Sequence, residues 1–213
     1  MSKETLIVYG GWEGHAPKQN ADLFKDALEA RGHRVTLSDT LNAFNDGAKL
    51  KEFDLIIPVW TMGSPSGNQV KNLVEAVRGG TGLAGTHGGM GDAFRGHLDY
   101  EWMVGGHFVS HPHVGDYEVS VTAPEDPIMA GVPSRFAFNS EQYYMMMDPA
   151  VKVLATTVYH HNNADCIMPV VWKRNWGQGR VFYSALGHAM DEFTQHPYVF
   201  DMTINGLLWA TRS

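Results

Sequence analysis

The residue with the sharpest chemical context is His87. It follows the short apolar run Gly82-Leu-Ala-Gly-Thr86 and opens His87-Gly-Gly-Met-Gly91, so a strand, a one-residue elbow and a sharp turn into a helix are expected there. In hydrolases and glutaminases that geometry exposes a nucleophile. A serine or cysteine at an elbow can form an acyl-enzyme, whereas an imidazole serves better as a general base or a metal ligand. His15, in Gly10-Gly-Trp-Glu-Gly-His15, and His188, in Gly187-His188, also come just after apolar runs, Thr5 to Tyr9 and Val181 to Leu186. All three histidines are therefore expected to leave strand ends, where α/β sheets place their ligands.

Two acids have company suited to chemistry. Glu141, in Asn139-Ser-Glu-Gln-Tyr-Tyr144, and Asp191, in Gly187-His-Ala-Met-Asp191, supply carboxylates able to bind a metal or orient an imidazole. The rings of Tyr143 and Tyr144 also suit a sugar, since aromatic faces stack on apolar sugar faces while carboxylates accept hydroxyl hydrogen bonds. In Gly105-Gly-His-Phe-Val-Ser-His-Pro-His113, a helix would align His107 with His111, but Pro112 and the glycines oppose one. Extended chain would put His111 and His113 on one face, as a histidine-lined pocket rim. By contrast, His160-His161 beside Asn162-Asn163 reads as an exposed loop, Met145-Met-Met147 as core filling, and Cys166 as a thiol without activating context. Gly79-Gly-Thr-Gly82 precedes a strand instead of following one, so no dinucleotide fingerprint is present and no nucleotide cofactor is expected.

The elements that must hold these residues follow from periodicity. Leu6 to Tyr9 reads as a buried strand, followed by a helix from Pro17 whose face is Phe24, Ala27 and Leu28 and whose stop is Gly32. His33 to Leu37 is a second strand. Asp54-Leu-Ile-Ile-Pro-Val-Trp60 is apolar almost throughout, as in a strand covered on both faces. Val70, Leu73, Val74 and Val77 then mark a helix, and Gly82 to Thr86 is strand four. Such βα repeats predict a doubly wound, mostly parallel sheet flanked by helices. Asp116 to Thr122 and Val151 to Thr156 are further strand candidates. Pro169 to Arg174, the turn Asn175-Trp-Gly-Gln-Gly179 and Arg180 to Ala185 predict a C-terminal β-hairpin, and Val199 to Trp209 a buried closing helix.

Composition narrows the function. A chain of 213 residues with no long linker is expected to be one domain, 1–213, and no stretch nears the roughly 20 apolar residues of a membrane span. The start Met1-Ser-Lys-Glu-Thr5 has no secretory signal, so a cytoplasmic location is expected. One cysteine excludes an internal disulfide and a cysteine-based metal site. A formal charge of -7 disfavours nucleic acid and anionic lipid, leaving small neutral molecules as the better partners. Self-association to a homo-oligomer is left open.

Together, Trp12-Glu-Gly-His15, Gly85-Thr-His-Gly-Gly89, Leu98 through Gly105-Gly-His-Phe108 with His111-Pro112, Ser140-Glu-Gln-Tyr-Tyr144 and Gly179-Arg-Val-Phe-Tyr-Ser-Ala-Leu-Gly-His188 resemble the ThuA-like, trehalose-utilization family over nearly the whole chain. The resemblance implies a class I glutamine amidotransferase-like or flavodoxin-like fold and a role in catabolism of trehalose or related disaccharides and keto-glycosides. The resemblance carries over to His15, His87, Glu141 and His188; from their chemistry His87, Glu141 and His188 are the candidate catalytic residues, as acid/base groups or ligands, and His15, His87 and His188 the candidate ligands of a divalent metal, zinc or manganese, with His15 alternatively a substrate anchor. Trp12, His107, His111, Tyr143, Tyr144 and Asp191 fall to substrate binding. Where many members have Asp-Glu-Trp-Tyr this chain has Ser140-Glu-Gln-Tyr143, and a usual histidine-proline appears as Asp126-Pro127, so substrate preference is expected to differ. Glutaminase chemistry is excluded, because it needs a thiolate at the elbow and the lone thiol, Cys166, lies far along the chain. An enzyme acting on a sugar, a sugar-binding module without catalysis, and a metal-dependent hydrolase of other substrates remain as readings.

Overall fold

A computed structural model describes residues 2–161 and 163–213. In chain order the elements are β1 Lys3–Gly11, α1 Pro17–Glu29, β2 His33–Ser38, α2 Gly47–Leu50, β3 Leu55–Thr61, α3 Gly67–Arg78, β4 Gly82–Thr86, α4 His87–Gly91, α5 Leu98–Val104, β5 Gly106–Val121, β6 Arg135–Met147, β7 Lys152–His161, β8 Ala164–Trp176, β9 Gly179–Ser184, α6 Met190–Gln195 and α7 Pro197–Ala210. The described strands form one sheet in the order β2-β1-β3-β4-β9-β8-β7-β5-β6.

The expectation of a mostly parallel sheet needs correction. The half β2-β1-β3-β4-β9 is parallel, but β9-β8-β7-β5-β6 is antiparallel throughout. The reason lies in the connections: β1, β3 and their successors are joined through helices, which carry the chain back to start a parallel strand. From β5 to β9 no α-helix among the described residues intervenes between strands to carry the chain back to a parallel start, and each neighbouring pair runs antiparallel. The strand candidates at 116–122 and 151–156 prove to be parts of the much longer β5 and β7. His160 and Cys166 lie in β7 and β8, not in a loop, and His160 pairs across the hairpin with Asp165 at 2.6 Å; Asn162 lies outside the described residues. The predicted β8-β9 hairpin is present and is also the hinge between the halves, because β9 pairs in parallel with β4 on its other side.

Helices α1 and α3 leave β1 and β3 in opposite directions along the sheet, and right-handed crossovers then put them on opposite faces. Accordingly α1 touches α7, and α3 touches α2 and α5. Covered on both sides, β3 and β4 are buried almost end to end. Ser66 and Gln69 start α3 with a reciprocal capping box, Ser66 Oγ accepting from Gln69 N at 3.2 Å and Gln69 Oε1 from Ser66 N at 2.7 Å. No helix among the described residues is long and apolar enough to cross a membrane.

A charged cluster ties the antiparallel half to the short turn before β6. Asp126 is 3% exposed, caps that turn through Ile128 N, and accepts from Lys173 at 2.6 Å and Lys152 at 2.9 Å. Burial opposes its ionisation, but the two lysines and the capped amide outweigh it and hold the carboxyl below its ordinary value. Asp126→Asn is expected to cost about 1–2 kcal/mol at pH 7, short of a fully buried pair because Lys152 is half in water. A carboxylate with a depressed folded pKa stabilises fully above its unfolded value, and that stability disappears as pH falls through the folded one. Thermal melts should therefore show a wild-type-to-variant gap at pH 7 that narrows below about pH 4; a gap that widens on acidification would refute this account.

Candidate functional site

His15, His87 and His188 do emerge from neighbouring carboxyl ends: His15 from a 3-10 turn after β1, His87 directly after β4 and His188 just beyond β9. Their rings lie 4.8 to 5.3 Å apart, centre to centre. The fourth member, Glu141, comes from the far edge of the sheet. Strand β6 is long enough to reach back over the strand ends, and alternation along it aims Glu141 and Tyr143 at the histidines. The same alternation turns Gln142 and Tyr144 away: Gln142 bonds Thr157 Oγ1 at 2.8 Å, and Tyr144 packs on Tyr159. One ligating atom from each of His15, His87, Glu141 and His188 lies within 4.8 Å of all the others, a set that could hold a metal ion.

The elbow is strained as its position requires. His87 has φ +44°, a left-handed conformation that costs a residue with a β-carbon about 1–2 kcal/mol. Ala16, Met62 and Phe94 are also left-handed, and each lies in or beside a segment of the site; Asn163 is the other such residue among those described. Glycine is needed at 88 for a different reason, because a β-carbon there would lie 2.4 Å from the His15 ring.

A hydrogen bond fixes which ring nitrogen His87 presents. His87 Nδ1 lies 2.8 Å from the Ala185 carbonyl, which can only accept, so Nδ1 carries the proton. Burial pushes the imidazolium of His87 down to about 4, partly countered by Glu141, leaving the ring neutral at pH 7. Its bare Nε2 then faces Glu141 Oε2 at 3.1 Å. Two acceptors at that distance repel unless a proton or a cation lies between them. His15 Nδ1 bonds Thr61 Oγ1 at 2.7 Å, and its buried Nε2 has no hydrogen-bond partner among the described residues, 3.8 Å from the same carboxylate oxygen. His188 Nε2 and His111 Nε2 lie 3.7 and 3.6 Å from Oε1. Burial lowers His188 as well. Burial also opposes charge on Glu141, but the imidazoles around it more than offset this and hold its carboxyl below the usual range.

Those separations suit a metal. Zinc bonds of about 2.0–2.1 Å place tetrahedral ligand atoms roughly 3.3–3.5 Å apart, within the spread seen here. Histidine metal ligands generally donate their second N–H to a neighbouring oxygen, as His87 does to Ala185.

The remaining expected residues divide. Trp12 packs edge-on against His15 at 4.7 Å, Tyr143 stacks on His87 at 4.0 Å, and His111 lies at the exposed rim. His107 is elsewhere, paired with Glu101 at 3.3 Å in a groove with Leu98 and Trp102. His113 does not share a face with His111: shifts in the β5-β6 register intervene, and His113 Nε2 meets Asp116 O instead. Asp191 is exposed on the first turn of α6, while its neighbour Glu192 points in and accepts from Gly187 N at 3.1 Å, holding the backbone that carries His188. Burial raises Glu192 to about 7. Of the Met145-Met-Met147 run, Met145 is core and Met146 exposed, as strand alternation demands. Sequence reasoning also missed Thr61, Asp92, Arg95 and Phe108. The one available signal was Thr61, at the end of an apolar strand, the same logic that found the histidines.

The family model for trehalose utilisation, ThuA, matches residues 4–210. Comparison with curated proteins gives no match. Among solved structures, a ThuA-like protein from Parabacteroides merdae superposes with a TM-score of 0.79 at 17% identity, over 99% of this chain and 90% of that one. One from Bacteroides uniformis gives 0.78 at 20% identity, over 98% and 91%. A Salmonella typhimurium LT2 protein described as cytoplasmic gives 0.74 at 14%, over 98% and 100%. At these identities the likeness speaks to the fold, while the family match runs nearly end to end: the chain belongs to the ThuA, trehalose-utilisation, family.

Proposed function

We propose that the chain is a metal-assisted acid/base enzyme acting on a sugar of the trehalose type or on a keto-glycoside derived from one. The observation that carries this is the meeting of His87 Nε2 and Glu141 Oε2, two acceptors 3.1 Å apart, inside a ring of imidazoles that includes the unpartnered His15 Nε2. Nε2 of His15, His87 and His188 with Glu141 Oε2 would hold the ion. Three imidazoles and a carboxylate suit zinc, and manganese accepts the same donors. A divalent metal there supplies Lewis-acid polarisation of a substrate oxygen.

The protein's own residues supply the proton transfers. A ketone acidifies the neighbouring C–H bonds, and Glu141 Oε1, turned towards His111 and the cavity, accepts a proton from carbon. His111, at the rim and 3.6 Å from Oε1, delivers a proton to the departing oxygen, so that C–H and C–O bonds break as a C=C bond forms. Buried Tyr143, stacked on His87, keeps water from that side. Glutaminase chemistry has no nucleophile here, since the elbow residue is His87 and Cys166 lies in β8.

The test uses protein purified without a histidine tag. Near-stoichiometric zinc or manganese by elemental analysis, turnover of a 3-keto-disaccharide panel, and loss of turnover on chelation with recovery on metal return are expected. Sugar binding without metal or turnover would instead establish a non-catalytic binding module, and metal-dependent hydrolysis of non-sugar esters or amides would move the site to another substrate class.

A further inference from the structure

We infer that the cavity beside the histidine cluster is a subsite for one uncharged sugar ring, read by the Arg95 guanidinium and the Tyr143 hydroxyl, with whatever is attached to that ring left in solvent. The inference rests on the sugar reading above and specifies how the sugar is recognised.

The cavity holds about 170 Å³ and is walled by Trp12, Met62, Arg95, Phe108 and Tyr143, with Glu141 at its inner end. Sites for drug-sized ligands run from about 300 Å³ upward, so the enclosed space suits a single six-membered ring, and a second one would lie at the open mouth. Trp12 is 47% exposed, and its edge contact with His15 fixes the indole as a platform beside the cluster. Flat apolar rings of this kind accept the C–H face of a sugar.

The polar readers are pre-set. Both oxygens of Asp92 grip Arg95, at 2.5 Å to Nε and 2.8 Å to Nη2, which fixes the guanidinium plane and leaves Nη1 with no partner among the described residues. Phe108 supports that plane from 5.6 Å. Asp92 is in turn held by main chain: Met62 N donates to Asp92 O and Phe94 N to Met62 O, both at 2.8 Å, with Met62 and Phe94 in left-handed conformations. Tyr143 is 2% exposed, its ring caught between His87 at 4.0 Å and Phe108 at 4.5 Å, and its hydroxyl makes no hydrogen bond to a described residue. The ring is buried but the residue lines the cavity, so the hydroxyl is free to meet a ligand oxygen there.

Charge decides the ligand class. Asp92 neutralises Arg95, so this pair by itself offers a phosphorylated or carboxylated sugar no net attraction. Hydroxyl oxygens, which ask only for donors and acceptors, fit.

Calorimetry and saturation-transfer NMR test this, with methyl α-glucoside and methyl α-maltoside on metal-loaded protein, and methyl α-glucoside and glucose 6-phosphate on metal-free protein, where no bound cation draws the phosphate. Kd for the two glycosides should agree within about threefold, saturation should concentrate on one ring of the maltoside, and the phosphate should bind no better than the glucoside. Tyr143→Phe and Arg95→Lys should each weaken glucoside binding about tenfold or more, since the first removes only a hydroxyl and the second keeps charge but loses the planar fork. Even saturation of both rings, a tenfold gain from the second ring, tighter binding of the phosphate, or unchanged affinity in both variants would each overturn the subsite. Binding as expected without turnover of any keto-glycoside would leave the subsite intact and remove the catalytic reading. Turnover with both rings saturated would do the reverse.

Discussion

Glu141→Gln is expected to leave the metal-free protein as stable as wild type, or more so, while cutting turnover about 10²- to 10⁴-fold and removing the rise in Tm that zinc or manganese produces. Without metal, the wild-type carboxylate confronts the bare Nε2 of His87 at 3.1 Å. An amide in its place can turn an N–H towards that nitrogen and replace two opposed acceptors by a donor and an acceptor. The same change removes the only carboxylate in the cluster, the proposed proton acceptor, and general base catalysis is typically worth that range of rate. A ligand present at 100 times its Kd raises stability by about 2.7 kcal/mol, so weakened metal binding is visible in a melt. Differential scanning calorimetry with and without metal gives both readings. A metal-free Tm well below wild type would mean that Glu141 is held by protonated histidines and that no cation belongs between them.

His87→Asn is expected to lower keto-glycoside turnover about 10³-fold or more with a small loss of stability. Asparagine tolerates the left-handed backbone at φ +44°, and its amide can still donate to the buried Ala185 carbonyl, so the elbow keeps its shape. While making that bond it offers only Oδ1, which lies nearer the backbone than His87 Nε2 and is a weaker ligand than an imidazole nitrogen. Alanine at 87 would confound the result, because it also orphans the carbonyl and leaves a void beside Tyr143. Steady-state kinetics paired with elemental analysis decides the matter: full turnover with metal bound would take His87 out of the site, and loss of turnover with metal retained would move its role from ligand to proton transfer.

How much of this was legible in the chain depends on how local each signal is. The four parallel strands up to β4, the closing helix and the β8-β9 hairpin are written in short-range periodicity and turn residues, and they appear where expected. So do the three histidines, since a residue just past an apolar run in a parallel sheet must lie at the carboxyl edge. The antiparallel half was harder. Its strands β5 and β6 are half exposed and interrupted by Pro112 and by register shifts, so alternation shows over only a few residues at a time. That is why His107, His111 and His113 could not be sorted from one another, and why Asp191 and Glu192, adjacent in sequence, could not be told apart.

The sequence by itself determined the residue types at the strand ends, the elbow with an imidazole in a nucleophile's place, the absence of a thiol to replace it, and the family. Only the tertiary structure decided which side chains share a space. Glu141 reaches His87 across 54 residues of chain because β6 folds back over the sheet edge. The Asp92–Arg95 pair lines the same cavity as Tyr143 because main-chain bonds with Met62, just past β3, hold its loop there. Such meetings depend on how strands are ordered and how far they extend, and no short window of residues encodes either.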